Sequence, residues 1–231
     1  MTRRNVEIDG ERIVRDDARS RRRRSPAQAE REILDAAEAL LRVKPFRDLT
    51  VDDVMARTTL SRPSFYVYFR DRHGLITRIL ERVGAELFEI DRGWLGGDTP
   101  PSGVRETLAA GAAFFAREGP VLRAIADAAA NDPEIERLYR FGLIARFAGA
   151  VADRVRRGAA AGEMDPALDP DAVGLALVLM TERYLLETVA RDPNPGPGRD
   201  AVVEALTIVW TKTLYGPGDQ SDEDHAGADD T

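Results

Sequence analysis

Residues 49–75, LTVDDVMARTTLSRPSFYVYFRDRHGL, contain two helix starts eleven residues apart. Thr50 can cap the orphan amides of a helix opening at Val51, with Asp52 and Asp53 in its positive first turn. Leu49 and Val54 stand at the two positions of a hydrophobic staple. Leu60-Ser61 repeats the device: Ser61 caps, Arg62 and Pro63 fill the first turn, and Leu60 staples to Phe65. Pro63 fits there because first-turn amides have no intrahelical partner. The reading is a helix of about seven residues, a turn at Thr58-Thr59-Leu60 and a second short helix. That is a helix-turn-helix, whose second helix can lie in a DNA major groove.

Outward from this stretch, Ser25 caps a first helix with Pro26 in its first turn, running to about Val43. Ile33, Ala36, Ala37, Leu40 and Leu41 recur at helical spacing, and Phe46 and Leu49 close a three-helix core with Val54, Met55, Phe65 and Phe69. Arg62 and Ser64 project from the first turn of the second motif helix, where base edges come within reach. Arg62 can make a bidentate contact to guanine or a contact to phosphate. Tyr66 and Tyr68 are contact candidates because a phosphate oxygen satisfies a tyrosine hydroxyl.

These residues resemble the DNA-binding domain of the TetR family of repressors. The resemblance rests on Thr50-Val51, Leu60-Ser61-Arg62, Phe65-Tyr66, Tyr68-Phe69, Asp71-Arg72 and Leu75, with Arg72 in the place of the usual Lys. Arg-Pro-Ser-Phe-Tyr-x-Tyr-Phe is close to the subgroup typified by the repressor of ethionamide activation. The resemblance implies double-stranded operator DNA as partner, a homodimer, and contacts from Thr50, Ser61, Arg62, Pro63, Ser64, Tyr66, Tyr68 and Arg72. Thr59 departs from the pattern, standing where the family prefers Gly because φ is often positive. A β-branched residue suits that conformation poorly, so the turn is expected to be strained or differently shaped.

The 231 residues suffice for a small N-terminal module and a larger body. Net charge is −7, but it is unevenly spread. Residues 1–73 carry 17 basic and 13 acidic side chains; the remainder carry 16 and 27. Local sign governs phosphate attraction, since charges beyond a Debye length are screened. Residues 1–25, ending in Arg21-Arg22-Arg23-Arg24, read either as a disordered solubilising tail or as an arm touching phosphates or a minor groove. With no cysteine, no signal-like apolar run and no apolar stretch longer than Ala172–Met180, the reading is a cytoplasmic protein without a membrane span.

Beyond His73 the chain reads as helical throughout, with no strand-like alternation. Helices are expected over 74–92, 104–117, from Gly119-Pro120 to about Ala130, from Asp132-Pro133 to about Ala160, over 170–191 and over 200–215. The loop 192–199 precedes the last of these, and an acidic disordered tail covers 217–231. The expected fold is all-α: a basic arm over 1–25, a three-helix DNA-binding domain over 26–73, and a ligand-binding and dimerisation domain over 74–216. Leu175, Leu179, Leu186, Val203, Leu206 and Trp210 on the last two helices suggest a two-fold dimer packed as four helices.

Glu182 has Val178, Leu179, Leu185 and Leu186 three and four positions away, so it is either buried with a partner or facing a cavity. Arg183 pairs more naturally with Glu187. Met180-Thr181-Glu182-Arg183 and Ile208-Val209-Trp210 resemble the ethionamide-type subgroup, where the corresponding positions help line a hydrophobic ligand channel. Thr181 replaces an Asn there, which alters the polar anchor. Met180, Thr181, Glu182 and Trp210 are thus pocket candidates, and Phe114, Phe115, Leu143 and Phe147 are wall candidates by periodicity. The implied effector is small and mostly apolar.

No metal-ligand spacing, phosphate loop or nucleophile motif is visible, and the two histidines, His73 and His225, stand apart. No cofactor, metal or catalytic residue is expected. The rival reading is a ligand-binding protein whose helix-turn-helix is vestigial or contacts protein.

Overall fold

The computed structural model describes residues 25–190 and 196–216. The arm through Arg24, the acidic tail over 217–231 with His225, and residues 191–195, which span the end of the expected helix 170–191 and the start of the expected loop, lie outside them. Ten α-helices and no strand occur among the described residues. Helices α1 (Pro26–Leu41), α2 (Val51–Met55) and α3 (Arg62–Tyr68) form the N-terminal module. Helix α4 (Arg72–Ile90) leads to the body, built from α5 (Arg92–Gly96), α6 (Val104–Ala129), α7 (Pro133–Tyr139), α8 (Ala145–Ala160), α9 (Pro170–Glu187) and α10 (Arg199–Tyr215).

Local capping explains most of the boundaries. Ser25 and Gln28 form a reciprocal capping box, as do Thr50 and Asp53. Asp132 accepts from the amides of Glu134 and Ile135, and Asp169 from those of Asp171 and Ala172. Asp71 caps α4 through the Gly74 amide, so this helix starts at Arg72, two residues earlier than periodicity indicates. Ser61 holds the cap position of α3, but its hydroxyl bonds that of Ser64 at 3.0 Å and leaves the amides uncapped.

Two expectations about the chain's path require correction, and the alternative left open at Thr59 is resolved. Gly119-Pro120 does not begin a new helix: α6 runs unbroken from Val104 to Ala129 with Pro120 inside. The proline leaves one carbonyl without its helical donor, a loss that packing along a 26-residue helix can outweigh. Gly119 is dictated by contact, since a Cβ there would lie 2.3 Å from that of Ala190. The expected single helix from Pro133 to Ala160 contains a π turn at Arg140–Ile144. One extra residue in the turn rotates the downstream helix, so Ile135 and Tyr139 before it, Leu143 and Ile144 within it and Val151 after it all face inward. Of the two outcomes expected at Thr59, the turn is differently shaped rather than strained: no non-glycine residue among those described has positive φ. The Thr59 amide and hydroxyl both donate to Glu32 Oε1 of α1, at 2.5 and 2.8 Å. A side-chain anchor thus does the work that glycine's freedom would otherwise do.

Helix α4 belongs to both halves. Leu75, Ile76, Ile79, Leu80 and Val83 are buried in a core continuous from module to body. Arg78 reaches Glu30, and Arg82 reaches Asp35 and Glu38, fixing α4 to α1. In the body α8 and α9 pack closely, because Gly174 of α9 lies against the backbone of Ala148 and Ala152.

A Cβ at Gly174 would meet the Ala148 carbonyl oxygen at 2.8 Å, whereas one at Gly149 meets open space. Gly174→Ala should therefore cost about 1–3 kcal/mol through overpacking. Gly149→Ala should stabilise by about 0.5–1 kcal/mol through helix propensity. Urea unfolding of the two variants checks the opposite signs.

Candidate DNA-reading face and ligand cavity

Helix α3 turns Phe65 into the core and leaves Arg62, Pro63, Tyr66 and Val67 exposed. Tyr66 is 50% exposed and Val67 76%, which is unusual for an aromatic and a β-branched residue without a partner surface. The guanidinium of Arg62 donates to Asp52 Oδ1 at 2.5 Å and lies 5.5 Å from the Tyr66 ring. The pair is exposed and readily exchanged for a stronger acceptor. Ser61 and Ser64 share their hydroxyls, and Thr50 spends its own in the capping box while remaining exposed. Tyr68 is only partly exposed and packs on the core.

Arg72 is placed differently from the sequence expectation. Its Nη1 donates to the Leu49 carbonyl at 2.6 Å and to that of Phe46 at 3.4 Å, with the guanidinium 5.0 Å from the Phe46 ring centroid. It ties the turn before α2 to the start of α4, and thus positions the reading helix from behind. The neighbouring His73 links module to body, its Nε2 lying 2.9 Å from Asp132 Oδ2 at the cap of α7. The bond with His73, more than any other influence, lowers the Asp132 carboxyl below its ordinary pKa.

The body encloses a cavity with about 100 Å³ of free space, walled by α4 to α10. Of the pocket and wall candidates, Phe115, Leu143, Phe147, Thr181, Glu182 and Trp210 line it. Phe114 and Met180 do not. Each is adjacent in sequence to a lining residue and so points about 100° away round its helix. Phe114 is fully buried beneath Arg117, and Met180 packs on the core.

The polar groups of the cavity come from several helices. Tyr139 donates its hydroxyl to Glu182 Oε1 at 2.5 Å, and Trp210 donates its indole N–H to Thr181 Oγ1 at 2.9 Å. Glu182 is therefore both partnered and in the wall, while Arg183 pairs with Glu187 at 2.9 Å. Burial pushes the Glu182 carboxyl above its usual range despite the bond from Tyr139. Burial, reinforced by the Glu182 charge, holds the Tyr139 hydroxyl well above its own, so tyrosine is the donor. Trp94 packs edge-on to Trp210 at 5.3 Å and donates to the Tyr215 hydroxyl.

Asp91 had no signal in the sequence. It closes α4, opens α5 and lines the cavity, yet its carboxylate makes no hydrogen bond or ion pair among the described residues. Burial alone pushes its pKa up to about 7. Tyr139 and Trp94 were likewise not singled out as pocket residues. Their inward direction depends on the π turn and on the bend between α4 and α5, neither of which leaves a sequence mark.

The chain's relatives agree with this architecture. Residues 33–79 match the family profile of bacterial regulatory proteins of the tetR family. Residues 104–216 match that of the C-terminal domain of the transcriptional regulator EthR. The chain is similar to the HTH-type transcriptional regulator EthR of Mycolicibacterium smegmatis, 29% identical over 86% of this chain and 92% of the relative. It is 31% identical to EthR of Mycobacterium tuberculosis over 86% of this chain and 93% of the relative. Among solved structures, Salmonella enterica GusR shares the fold with a TM-score of 0.69 at 15% identity, over 83% of this chain and 98% of that one. The chain belongs to the TetR family of DNA-binding transcriptional regulators. Within it, the body has the EthR type of C-terminal domain. Regulators of this family bind operator DNA and form dimers. No helix among the described residues is long and apolar enough to cross a membrane.

The buried acid has a stability consequence. An acid whose folded pKa exceeds its unfolded value binds its proton more tightly when folded. Stability therefore falls as pH rises from the ordinary 3.8 towards about 7, and levels above that. The upper bound on the effect is about 4 kcal/mol. Asp91→Asn removes this slope, so the variant should gain in unfolding free energy relative to wild type between pH 5 and pH 8. Urea unfolding at the two pH values measures the difference.

Proposed function

We propose that this chain is a cytoplasmic repressor that acts as a homodimer and leaves its operator when a small, mostly apolar effector fills the cavity. The observation that carries the reading is that one helix, α4, begins behind the reading helix at Arg72 and ends in the cavity wall at Asp91. Over 19 residues it spans about 28 Å as a rigid rod. A second strut runs from His73 through Asp132 and α7 to Tyr139 and Glu182. A ligand entering between these struts must move one relative to the other. The module follows α4 because Arg78 and Arg82 fasten the two together. Such a ligand shifts the equilibrium only by its difference in affinity for the two arrangements, and DNA must weaken ligand binding by the same factor.

The proposed reading face comprises Thr50, Ser61, Arg62, Pro63, Ser64, Tyr66 and Tyr68, with Arg72 setting its position. The boundaries 26–73 and 74–216 describe its two working parts, although the core runs across them. Residues 25–73 hold eight basic and eight acidic side chains, so the surplus positive charge of the first 73 residues sits in residues 1–24. That composition supports a phosphate-seeking role for the arm.

The dimer seam is proposed on α9 and α10, keeping Leu175 and Leu179 of the first reading and replacing its other four residues. Leu186, Val203, Leu206 and Trp210 are buried within the chain. Leu175, Leu179, Ile208 and Val209 stay 40–45% exposed. Both helices are apolar around most of their circumference, one side serving their own core and the other a second copy. No catalytic role is assigned, and no metal-competent group of His, Asp and Glu occurs among the described residues.

Leu179→Glu should shift sedimentation from dimer to monomer and abolish operator binding in a gel-shift assay. Arg62→Ala should weaken a selected operator by about 1–3 kcal/mol while the dimer stays intact. Effector coupling is tested with apolar compounds that raise Tm in wild type but not in Gly111→Trp. Position 111 lies in the cavity wall with open space around a Cβ, so the indole can occupy the ligand's volume. Hits should lower operator affinity by the factor by which operator lowers theirs. Hits that bind the cavity and leave DNA affinity unchanged refute the coupling.

A further inference from the structure

We infer that the effector carries a basic nitrogen on its apolar body, and that Asp91 is the residue that recognises the nitrogen as an ammonium. The inference rests on the cavity being the effector site and deepens that reading.

The lining contains two carboxyl groups, Asp91 and Glu182, and no Lys, Arg or His. The two acids are not equivalent. Glu182 already accepts the Tyr139 hydroxyl, and this tyrosine has no other role in the structure that would draw it away. Asp91 has no donor at all among the described residues. Its position does not supply one: although it precedes α5, its side chain accepts no amide from that helix. Arg154 donates to the Trp94 carbonyl at 3.1 Å and to Glu163 at 2.8 Å, and makes no bond to Asp91. A half-buried carboxyl that lines an apolar cavity and has no donor within the chain is poorly solvated. That deficit is removed when a ligand brings a cationic donor to it. The surrounding chemistry favours the same ligand class. Trp94, Trp210, Tyr139, Phe115 and Phe147 present aromatic surface to the cavity, and aromatic faces attract an ammonium or its polarised methylenes. An anionic ligand such as a fatty carboxylate meets two acids and no base, so the cavity selects against it. The free space of about 100 Å³ accommodates a short chain without expansion of the walls.

The test uses n-hexylamine, 1-hexanol and hexanoate at pH 7, with the full-length protein and binding read by calorimetry and by Tm. The three probes share a chain length and differ in the charge at one end. Hexylamine should bind about tenfold or more tightly than hexanol, a difference of about 1.4 kcal/mol, and hexanoate should not bind detectably. In Asp91→Asn the preference for amine over alcohol should fall to about twofold or less. In Glu182→Gln the preference should persist. Equal affinity of hexylamine and hexanol in wild type overturns the inference, and this comparison needs no variant to fold. Survival of the amine preference in Asp91→Asn overturns the assignment to Asp91. Hexanol binding that Gly111→Trp abolishes, without any amine preference, keeps the cavity as the effector site and rejects the ammonium alone. Failure of all three probes in wild type rejects the cavity reading together with the inference.

Discussion

The apolar stripe of α4, from Leu75 through Ile79 to Val83, is shared between two cores, and the rest of the structure is arranged around that sharing. On one side the stripe closes the module formed by α1 to α3. On the other it meets α6, α7 and the π turn, where Gly84 lets Leu143 approach closely. A helix committed to two cores cannot shift at one end while the other stays in register, because packed interiors do not deform continuously. The arginines that fasten α4 to α1 strengthen this constraint on the module side. In the proposed mechanism a change in the cavity reaches the turn that Arg72 holds, about five helical turns away.

The cavity owes its place to imperfections in helices that would otherwise pack without a void. The π turn at Arg140–Ile144 re-aims α7 and α8, bringing Tyr139 to Glu182 on α9. The break at Asp91 between α4 and α5 places a carboxyl in the wall and folds Trp94 back towards Trp210. Thr181 on α9 anchors the Trp210 indole through its hydroxyl. Among the described residues, each of these polar groups except Asp91 has a partner within the chain. That single exception gives the cavity its chemical sign.

The surface of the module is electrostatically restrained. Arg62 with Asp52, Lys44 with Asp53, and Arg70 with Asp71 pair basic side chains to acids on the module itself. Exposed pairs of this kind contribute little to stability and exchange partners readily. Phosphates can compete for the arginines without unfolding anything. Residues 25–73 carry no net charge, so their attraction for phosphate depends on where charges can be redirected rather than on their sum.

Class and local architecture were legible in the residues alone. The caps Ser25, Thr50, Asp132 and Asp169 are local interactions spanning three residues, so each could be read and each formed. The buried faces of α1 and α4 were legible for the same reason, since a helix repeats every 3.6 residues whatever it packs against. Partners distant in sequence settled the rest. Helix α6 passes through Pro120 because packing outweighs one lost hydrogen bond, which propensity cannot reveal. Arg72 turned inward because the Leu49 carbonyl, 23 residues away, lies within reach. Leu186 and Leu179 look alike in a helical pattern, yet one is buried in its own chain and the other is 41% exposed. Helices α9 and α10 are apolar nearly all round, so periodicity could not separate the inner face from the outer. The isolation of Asp91 was the least legible of all, for the absence of a hydrogen-bond donor is a property of every element that surrounds a residue.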